Sequence, residues 1–148
     1  LAKEVLENIL YRFGVSTAVE VTEDSECINL EIKSDGSGIL IGRKGQTLDA
    51  LQYLVNKIAR RSPDATKQII IDTEGYRRRR KETLVELAQR LGERAKSKDI
   101  PVSTSPLNPF ERRIIHLALQ DDAELTTHSK GEGIYRSVVI SPKKPDSV

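Results

Sequence analysis

The sequence predicts an α+β protein with a long basic helix near the middle of the chain. Three observations favour this class. Apolar residues alternate with a period of two in some segments and a helical period in others, the longest helical pattern covers residues 74–98, and short strand patterns lie on both sides of it. A chain of 148 residues supplies one domain or two small ones. Its apolar content of 37% is too high for a disordered protein.

The first half begins with a helix and a hairpin. Residues 1–13 have apolar positions at helical spacing, and Gly14 follows them as a C-terminal cap would. Residues 15–22 and 28–32 each alternate apolar and polar side chains around a polar turn at 23–25. This pattern predicts a β-hairpin.

The rest of the first half predicts a turn, a helix and a strand. Residues 34–38 form a loop by composition, and a short apolar turn at 38–41 leads to a helix over 46–61. Residues 67–72 then form a short strand of buried character. The apolar side of the helix over 46–61 consists of Leu48, Leu51, Val55 and Ile58.

The second half begins with the long helix over residues 74–98. Two prolines keep residues 100–106 extended. Asn108 has the character of an N-cap, with Pro109 at the first helical position, for a helix that runs to about residue 120. Two strands, near residues 124–128 and 135–141, close the chain. The core stripe of the long helix consists of Leu84, Leu87, Ala88, Leu91 and Ala95.

The formal net charge of +2 averages over two unlike halves. Residues 1–73 contain 9 basic and 11 acidic side chains, and residues 74–148 contain 15 and 11. A run of five cations forms the centre of this excess, and charge asymmetry of this kind is a hint of nucleic-acid contact, although a solvated helix face explains it as well. Five consecutive helical residues point in all directions, so only part of the run can face one partner. The run consists of Arg77, Arg78, Arg79, Arg80 and Lys81.

Other features exclude several classes of protein. The one cysteine, Cys27, allows no internal disulfide, no apolar run is long enough to span a membrane, and no signal-peptide core follows the N-terminus. We therefore expect a cytoplasmic protein. The absence of methionine indicates a processed or trimmed chain. No Walker phosphate loop, catalytic triad, carboxylate dyad or metal cluster emerges, so we expect neither enzymatic activity nor a cofactor.

The segment Gly42-Arg43-Lys44-Gly45, called the GRKG loop below, has the chemistry of a phosphate site. Its glycines permit positive φ, and the helix that follows presents unpaired N–H groups to an anion. Two cations add charge, while Ile39 and Ile41 can line a floor for bases, together with Ile70 on the following strand. Two glycines three apart also occur in ordinary turns between helices.

The GRKG loop resembles the G-x-x-G loop of the KH domain because it follows a hairpin and the apolar turn Ile39–Ile41 and precedes a helix. In that family the loop clamps the backbone of single-stranded nucleic acid. The order of elements is similar to that of the bacterial, type II variant, α-β-β-α-α-β. The resemblance covers residues 1–73, leaves 74–84 as the basic linking part of the long helix, and implies RNA contacts by the GRKG loop.

Arg112 and His116 lie four residues apart, so they share one face of the helix over 108–120. Phe110, Ile114 and Leu117 lie nearly opposite, so we expect them to face the core and the Arg–His pair to point outward beside Arg113. Catalysis or metal binding would need further catalytic or metal-ligating side chains. The other histidine, His128, does not lie at a spacing that is recognisable for either role. A pair of solvated surface residues is the plain alternative.

The Arg-x-x-x-His pattern after a Pro-bounded strand, followed by two strands, resembles the R-three-H domain, a module that binds single-stranded nucleic acid. This resemblance covers residues 85–142, leaving 143–148 as a disordered tail. Ser129, Gly131 and Arg136 stand where that family carries small and basic residues.

A KH domain followed by an R-three-H domain is similar to the bacterial Jag, or SpoIIIJ-associated, family of RNA-binding proteins. The resemblance implies a role in control of cell elongation and division, and a smaller single-KH partner protein. Members usually carry a further N-terminal domain and a linker, so we expect this sequence to be a trimmed part of such a protein.

We therefore expect a non-catalytic protein that binds single-stranded RNA as a post-transcriptional regulator. Few aromatic residues are available for stacking, so specificity should be loose and affinity salt-dependent. Two alternatives stay open. The chain could bind single-stranded DNA, or it could be a protein-interaction scaffold whose KH surface forms a homodimer or heterodimer.

Overall fold

The computed structural model describes residues 1–33 and 38–144. The chain folds into two compact units, Leu1–Arg77 and Arg78–Val148. Each unit combines helices with one three-stranded sheet. The predicted α+β class is therefore confirmed.

The first unit contains two helices on one face of a sheet. Helix α1 (Ala2–Arg12) precedes the antiparallel strands β1 (Val19–Glu23) and β2 (Cys27–Ile32). The predicted hairpin is thus present, and Asp24 closes its turn by accepting the N–H groups of Glu26 and Cys27 at 2.8 and 2.7 Å. Strand β1 begins four residues later than the alternation at Val15 predicts.

A turn and a second helix return the chain to the sheet. The N–H of Gly42 donates to Gly38 O at 3.1 Å, which closes one helical turn before a 3₁₀ turn at Arg43–Gly45. Helix α2 (Gln46–Ala59) follows, and strand β3 (Gln68–Thr73) pairs parallel to β2. The sheet order is β1-β2-β3.

The core of the first unit lies between the helices and one face of this sheet. Leu6 and Leu10 of α1 meet Leu48 and Val55 of α2 there, above Ile71 of β3. Ile58, on the apolar side of the predicted helix, is exposed, and Ala59 is buried instead.

The second unit begins within the long helix α3 (Tyr76–Lys98) and contains α4 (Pro109–Leu119). Its sheet has the order β4-β6-β5, with both pairs antiparallel. The predicted cap is confirmed, because the Asn108 side chain accepts the N–H of Glu111 at 2.9 Å. The strands are β4 (Val102–Ser103), β5 (Leu125–Lys130) and β6 (Ser137–Pro142).

The second core collects α3, α4 and the sheet. Leu84, Ala88 and Ala95 are buried in it, as predicted, and Leu87 and Leu91 pack at its edge. Gly92 lies on the same stripe, where an added Cβ would come within 2.9 Å of Leu125 Cδ1 and 3.3 Å of Leu119 Cδ2. The absence of a side chain therefore lets α3 approach its neighbours.

The buried face of α4 differs in part from the predicted one, although Ile114 packs against the core as predicted. Phe110 is 71% exposed and Leu117 49% exposed, whereas Ile115 and Leu119 are buried. Glu111 is buried with them because its carboxylate accepts a hydrogen bond from Arg80 Nε at 2.8 Å. This ion pair gives the buried carboxylate a charged partner on the core side of the helix.

The two segments where we predict a loop or a disordered tail lie partly outside the described residues, namely 34–37 and 145–148. Before the latter, Lys143 N–H still donates to Glu124 O at 2.7 Å. In the described part of the chain, no helix combines the length and the apolar content that a membrane crossing requires.

Candidate nucleic-acid interface

The GRKG loop adopts a conformation that requires both of its glycines. Gly42 has φ 71° and ψ −174°, and Gly45 has φ 77°. Lys44 between them is also left-handed, with φ 54°. Such backbone conformations are rare for residues with a side chain, and they persist where neighbouring groups determine them.

Close contacts add to the conformational requirement at both glycines. A Cβ at Gly42 would overlap the Thr47 hydroxyl and lie 2.9 Å from Thr47 Cβ. A Cβ at Gly45 would lie 2.6 Å from Cε1 of Tyr76. The loop is therefore packed against the start of α2 on one side and against an aromatic ring on the other.

The loop presents its charge at a helix N-terminus. Arg43 and Lys44 are exposed, and α2 continues for 14 residues from a cap position that has no side-chain hydrogen bond. The positive end of the helix dipole adds to the two cations, so the site favours an anion. The Gly45 N–H is held 3.4 Å from Gly42 O, which is long for a hydrogen bond.

The three isoleucines predicted to line a groove do not share one face. Ile39 is 70% exposed and Ile41 half-buried, both next to the GRKG loop. Ile70 alternates with the buried Ile69 and Ile71, so its side chain lies on the sheet face opposite α2. The structure therefore brings Ile39 and Ile41 to the loop and places Ile70 elsewhere.

The open sheet face around Ile70 is acidic. Glu20, Glu31 and Asp72 are paired in one row across the three strands. Burial raises the pKa of the Glu31 carboxyl, and the neighbouring Asp72 carboxylate raises it further. This face repels a polyanion, whereas the GRKG loop attracts one.

In the second unit, Arg112 and His116 face strand β5 instead of pointing outward as predicted. Arg112 donates from Nη1 to Ser129 Oγ at 3.2 Å, from Nε to Leu107 O at 3.3 Å and from Nη2 to Ile134 O at 3.2 Å. Both side chains are half-buried. They join α4 to the sheet and to the loop after β5.

His116 lies between two hydroxyl groups of β5. Its Nδ1 is 2.7 Å from Thr127 Oγ1, and its Nε2 is 3.2 Å from Ser129 Oγ. Burial lowers the pKa of His116, and the charge of Arg112 lowers it further, as does His128. A neutral ring that accepts at Nε2 and donates from Nδ1 satisfies this arrangement.

Ser129 connects the basic residues of this site. Its hydroxyl contacts Arg112 and His116, and its carbonyl accepts from Arg136 Nη2 at 2.9 Å. Within the described part of the chain, the buried Arg136 Nε has no hydrogen-bond partner. The structure thus brings together three of the four predicted site residues, while Arg113 stands exposed on the outer face of α4.

Exposed apolar side chains lie on the loop next to this cluster and elsewhere on α4, and apolar spacing did not predict the exposure of Phe110. Phe110 lies on α4, while Ile134 and Tyr135, 67% and 48% exposed, lie on the loop whose backbone Arg112 holds. The mixture of glycine, charged and apolar residues in that loop was the feature of the sequence that could have indicated this exposure. These side chains offer apolar surface beside cations, as single-stranded nucleic-acid sites do.

The basic run divides into residues held within the units and exposed residues. Arg77 contacts Asp49 within the first unit, and Arg80 contacts Glu111 within the second. Arg78, Arg79 and Lys81 are exposed. As the helical geometry required, only part of the run is available to a partner.

In the described ranges 1–33 and 38–144, no group of three or more His, Cys, Asp or Glu side chains is placed so that it could hold a metal ion.

Two domain families match the chain. Residues 1–71 match the family described as KhpA/KhpB, KH domain, and residues 82–142 match the R-three-H domain. Fold and site therefore define a protein with a KH domain followed by an R-three-H domain.

Similar curated proteins carry one name. RNA-binding protein KhpB of Clostridium symbiosum is 45% identical over 145 residues, which is 97% of this chain and 65% of that protein. RNA-binding protein KhpB of Bacillus subtilis is 35% identical over 97% of this chain and 70% of its own length. The Lactiplantibacillus plantarum protein of the same name is 29% identical over 92% of this chain and 42% of its own.

The chain belongs to the KhpB family, also called Jag, as the sequence resemblance indicated. It spans between 42% and 70% of the length of these three relatives.

Proposed function

We propose that the chain binds single-stranded RNA without catalysing a reaction. The observation that carries this proposal is the GRKG loop, which presents Arg43 and Lys44 at the N-terminus of α2 beside the exposed Ile39. Phosphates would lie against the loop, where the backbone and both cations attract them. Bases would lie on Ile39 and Ile41. The names of the relatives, all RNA-binding proteins, support the same polymer.

The second unit would hold another stretch of the same strand. Arg113 is exposed, so its guanidinium suits phosphate oxygens, while the half-buried Arg136, whose Nη2 donates to Ser129 O, adds positive charge to this site. Phe110 and Tyr135 offer surface for bases. Arg112 and His116 would act from the inner side of this surface, because Arg112 holds the loop that carries Tyr135 and His116 holds strand β5, which precedes that loop.

Exposed cations between the two matched domains would add attraction that is independent of base sequence. Arg78, Arg79 and Lys81 have no acidic partner among the described ion pairs. When lysine and arginine bind phosphate, they release counterions, so affinity should fall as salt rises.

The wider role follows from family membership. We infer a cytoplasmic post-transcriptional regulator linked to cell elongation or division, which forms a homodimer or pairs with a smaller single-KH protein. Family resemblance supports these points.

Charge reversal in the GRKG loop tests the proposal. In the variant Arg43→Asp with Lys44→Asp, we expect weaker binding to labelled single-stranded oligouridine. The dependence of log Kd on log salt should also become smaller, by about 0.7 for each phosphate that the loop no longer neutralises. Asp tolerates the left-handed conformation of position 44, so the loop can keep its shape.

The matched control reverses two exposed charges on α1, Lys3→Asp with Arg12→Asp, and changes the net charge equally. It should keep most of the affinity and the slope. Equal losses in both variants, or an unchanged slope in the loop variant, would contradict a specific role for the loop. Competition by oligothymidine separates RNA binding from DNA binding, because only RNA carries a 2′-OH.

A further inference from the structure

The first two residues of α3 contact the GRKG loop and the helix that follows it. Tyr76 and Arg77 belong to the first unit, Leu1–Arg77. They lie outside both matched stretches, 1–71 and 82–142. Neither domain family therefore accounts for them.

The ring of Tyr76 occupies the space beside Gly45. Its Cε1, hydroxyl oxygen and Cζ would lie 2.6, 3.0 and 3.1 Å from a Cβ at that position. Tyr76 is half-buried and also packs against the core of the first unit. The ring thus forms one wall of the GRKG loop at the residue where the loop becomes α2.

Arg77 holds the N-terminal half of α2 against the sheet. Its Nη1 lies 2.9 Å from Asp49 Oδ1, its Nη2 donates to Gln52 Oε1 at 3.0 Å, and its Nε donates to Ile71 O at 2.8 Å. Gln52 Oε1 also accepts the Ile71 N–H at 3.0 Å. Because the guanidinium is planar and charged, it fixes both α2 and β3 in one geometry.

These contacts act on the end of α2 that carries the loop. Asp49 lies in the first turn of the helix. The loop itself has consecutive left-handed residues at Lys44 and Gly45, a conformation that persists where its surroundings determine it. Tyr76 and Arg77 supply such surroundings on one side.

We propose that Tyr76 and Arg77 are positioning residues of the RNA-binding loop, so that the functional KH unit extends to Arg77. This inference rests on the proposed function. Loss of either side chain would let the GRKG loop leave its phosphate-binding geometry while the loop keeps its own cations.

The test uses the full chain with Tyr76→Ala and Arg77→Met. Each variant should bind labelled oligouridine about tenfold more weakly, a loss of about 1.4 kcal/mol. Tyr76→Phe keeps the ring and should restore most of the affinity. Tyr11→Ala and Arg90→Met are matched controls, because they remove an exposed tyrosine and an exposed arginine elsewhere, and both should bind almost as the parent does.

Two readouts separate positioning from general stability. Tyr76→Ala removes no charge, yet it should lower the salt slope as the loop charge reversal does, because the loop cations no longer reach their phosphates. Amide resonances of Arg43–Gly45 should shift, while those of β3 keep their dispersion. A folded Tyr76→Ala variant with parental affinity, slope and loop resonances would overturn the inference.

The experiments distinguish a failure of the proposed function from a failure of this inference. If charge reversal in the loop leaves RNA binding unchanged, the loop is not the site and the positioning role falls with it. If charge reversal weakens binding and the folded Tyr76 and Arg77 variants do not, only the inference is overturned. Where Arg77→Met does not fold, Arg77→Lys keeps the charge but not the fork, and an intermediate affinity is then expected.

Discussion

Individual residues of the second site take roles that their types alone do not reveal. Arg112 and His116 were expected at the surface, and they instead join α4 to β5 through Ser129 and Thr127. An arginine that donates to two carbonyls and a hydroxyl is a structural residue as well as a cation. The Arg-x-x-x-His pattern therefore shapes the surface that we propose for RNA.

His116 should make the stability of the second unit depend on pH. Its pKa is lowered in the folded state, so the unfolded chain binds more protons between that pKa and about 6.5, its ordinary value. The contribution of a neutral His116 is present above about pH 6.5 and is lost as pH falls through the folded pKa. Denaturant unfolding at pH 7.5 and pH 5.5 measures this loss.

The comparison that isolates His116 is between two glutamine variants. When pH falls from 7.5 to 5.5, the free energy of unfolding of His116→Gln should decrease less than that of the parent protein. His128→Gln changes an exposed ring, and its free energy of unfolding should decrease about as much as the parent's. If both variants keep the parental pH dependence, His116 is not the titrating group.

At the scale of elements, the junction between the GRKG loop and α2 is set by backbone geometry. Gly42 combines a positive φ with close packing against Thr47, and Gly45 combines a positive φ with close packing against Tyr76. The N-cap of α4 is set as locally, by Asn108 and Glu111. The position of both junctions was predictable because glycines and capping residues mark them within a few positions in the sequence.

Gly42→Ala tests the steric part of the loop requirement. The matched variant Gly14→Ala has a similar φ, 76° against 71°, but its Cβ would meet nothing within 4 Å. In both variants the free energy of unfolding should fall by about 1 kcal/mol or more because of backbone strain. The decrease should be larger in Gly42→Ala because the Thr47 hydroxyl must move.

RNA affinity should separate these two alanine variants more clearly than stability does. Gly42→Ala shifts the loop and should weaken oligouridine binding several-fold, whereas Gly14→Ala should keep parental binding. Equal affinities would indicate that the loop tolerates a side chain at position 42.

At the scale of the whole molecule, the small net charge of +2 does not show where the acidic and basic residues lie. The first unit has an acidic sheet face with Glu20, Glu31 and Asp72 and a basic loop with Arg43 and Lys44. An average near zero is compatible with a polyanion ligand when the charges are separated in this way.

Two separate cores predict two units of stability. Leu6 is buried in the first core and Ile115 in the second. Leu6→Ala should cost about 2–5 kcal/mol and increase hydrogen exchange in the first unit, and Ile115→Ala should do the same in the second. Loss of protection across both units from either substitution would indicate one cooperative unit instead.

Local sequence patterns were enough to predict the order of helices and strands, the hairpin, the GRKG loop and the cap at Asn108. These features depend on backbone propensity and on side-chain spacing within a few residues, so residues that are close together in the sequence are enough to predict them. The division into two modules followed from the resemblance of these patterns to two domain families.

The buried face of α4 was settled only by tertiary contacts, since Ile115 and Leu119 pack into the core, Glu111 pairs with Arg80, and Phe110 and Leu117 stay exposed. Folding also placed Ile70 away from the loop and Tyr76 against Gly45. These outcomes depend on contacts between residues far apart in the sequence. Such contacts form, and contribute free energy, only when the chain is folded.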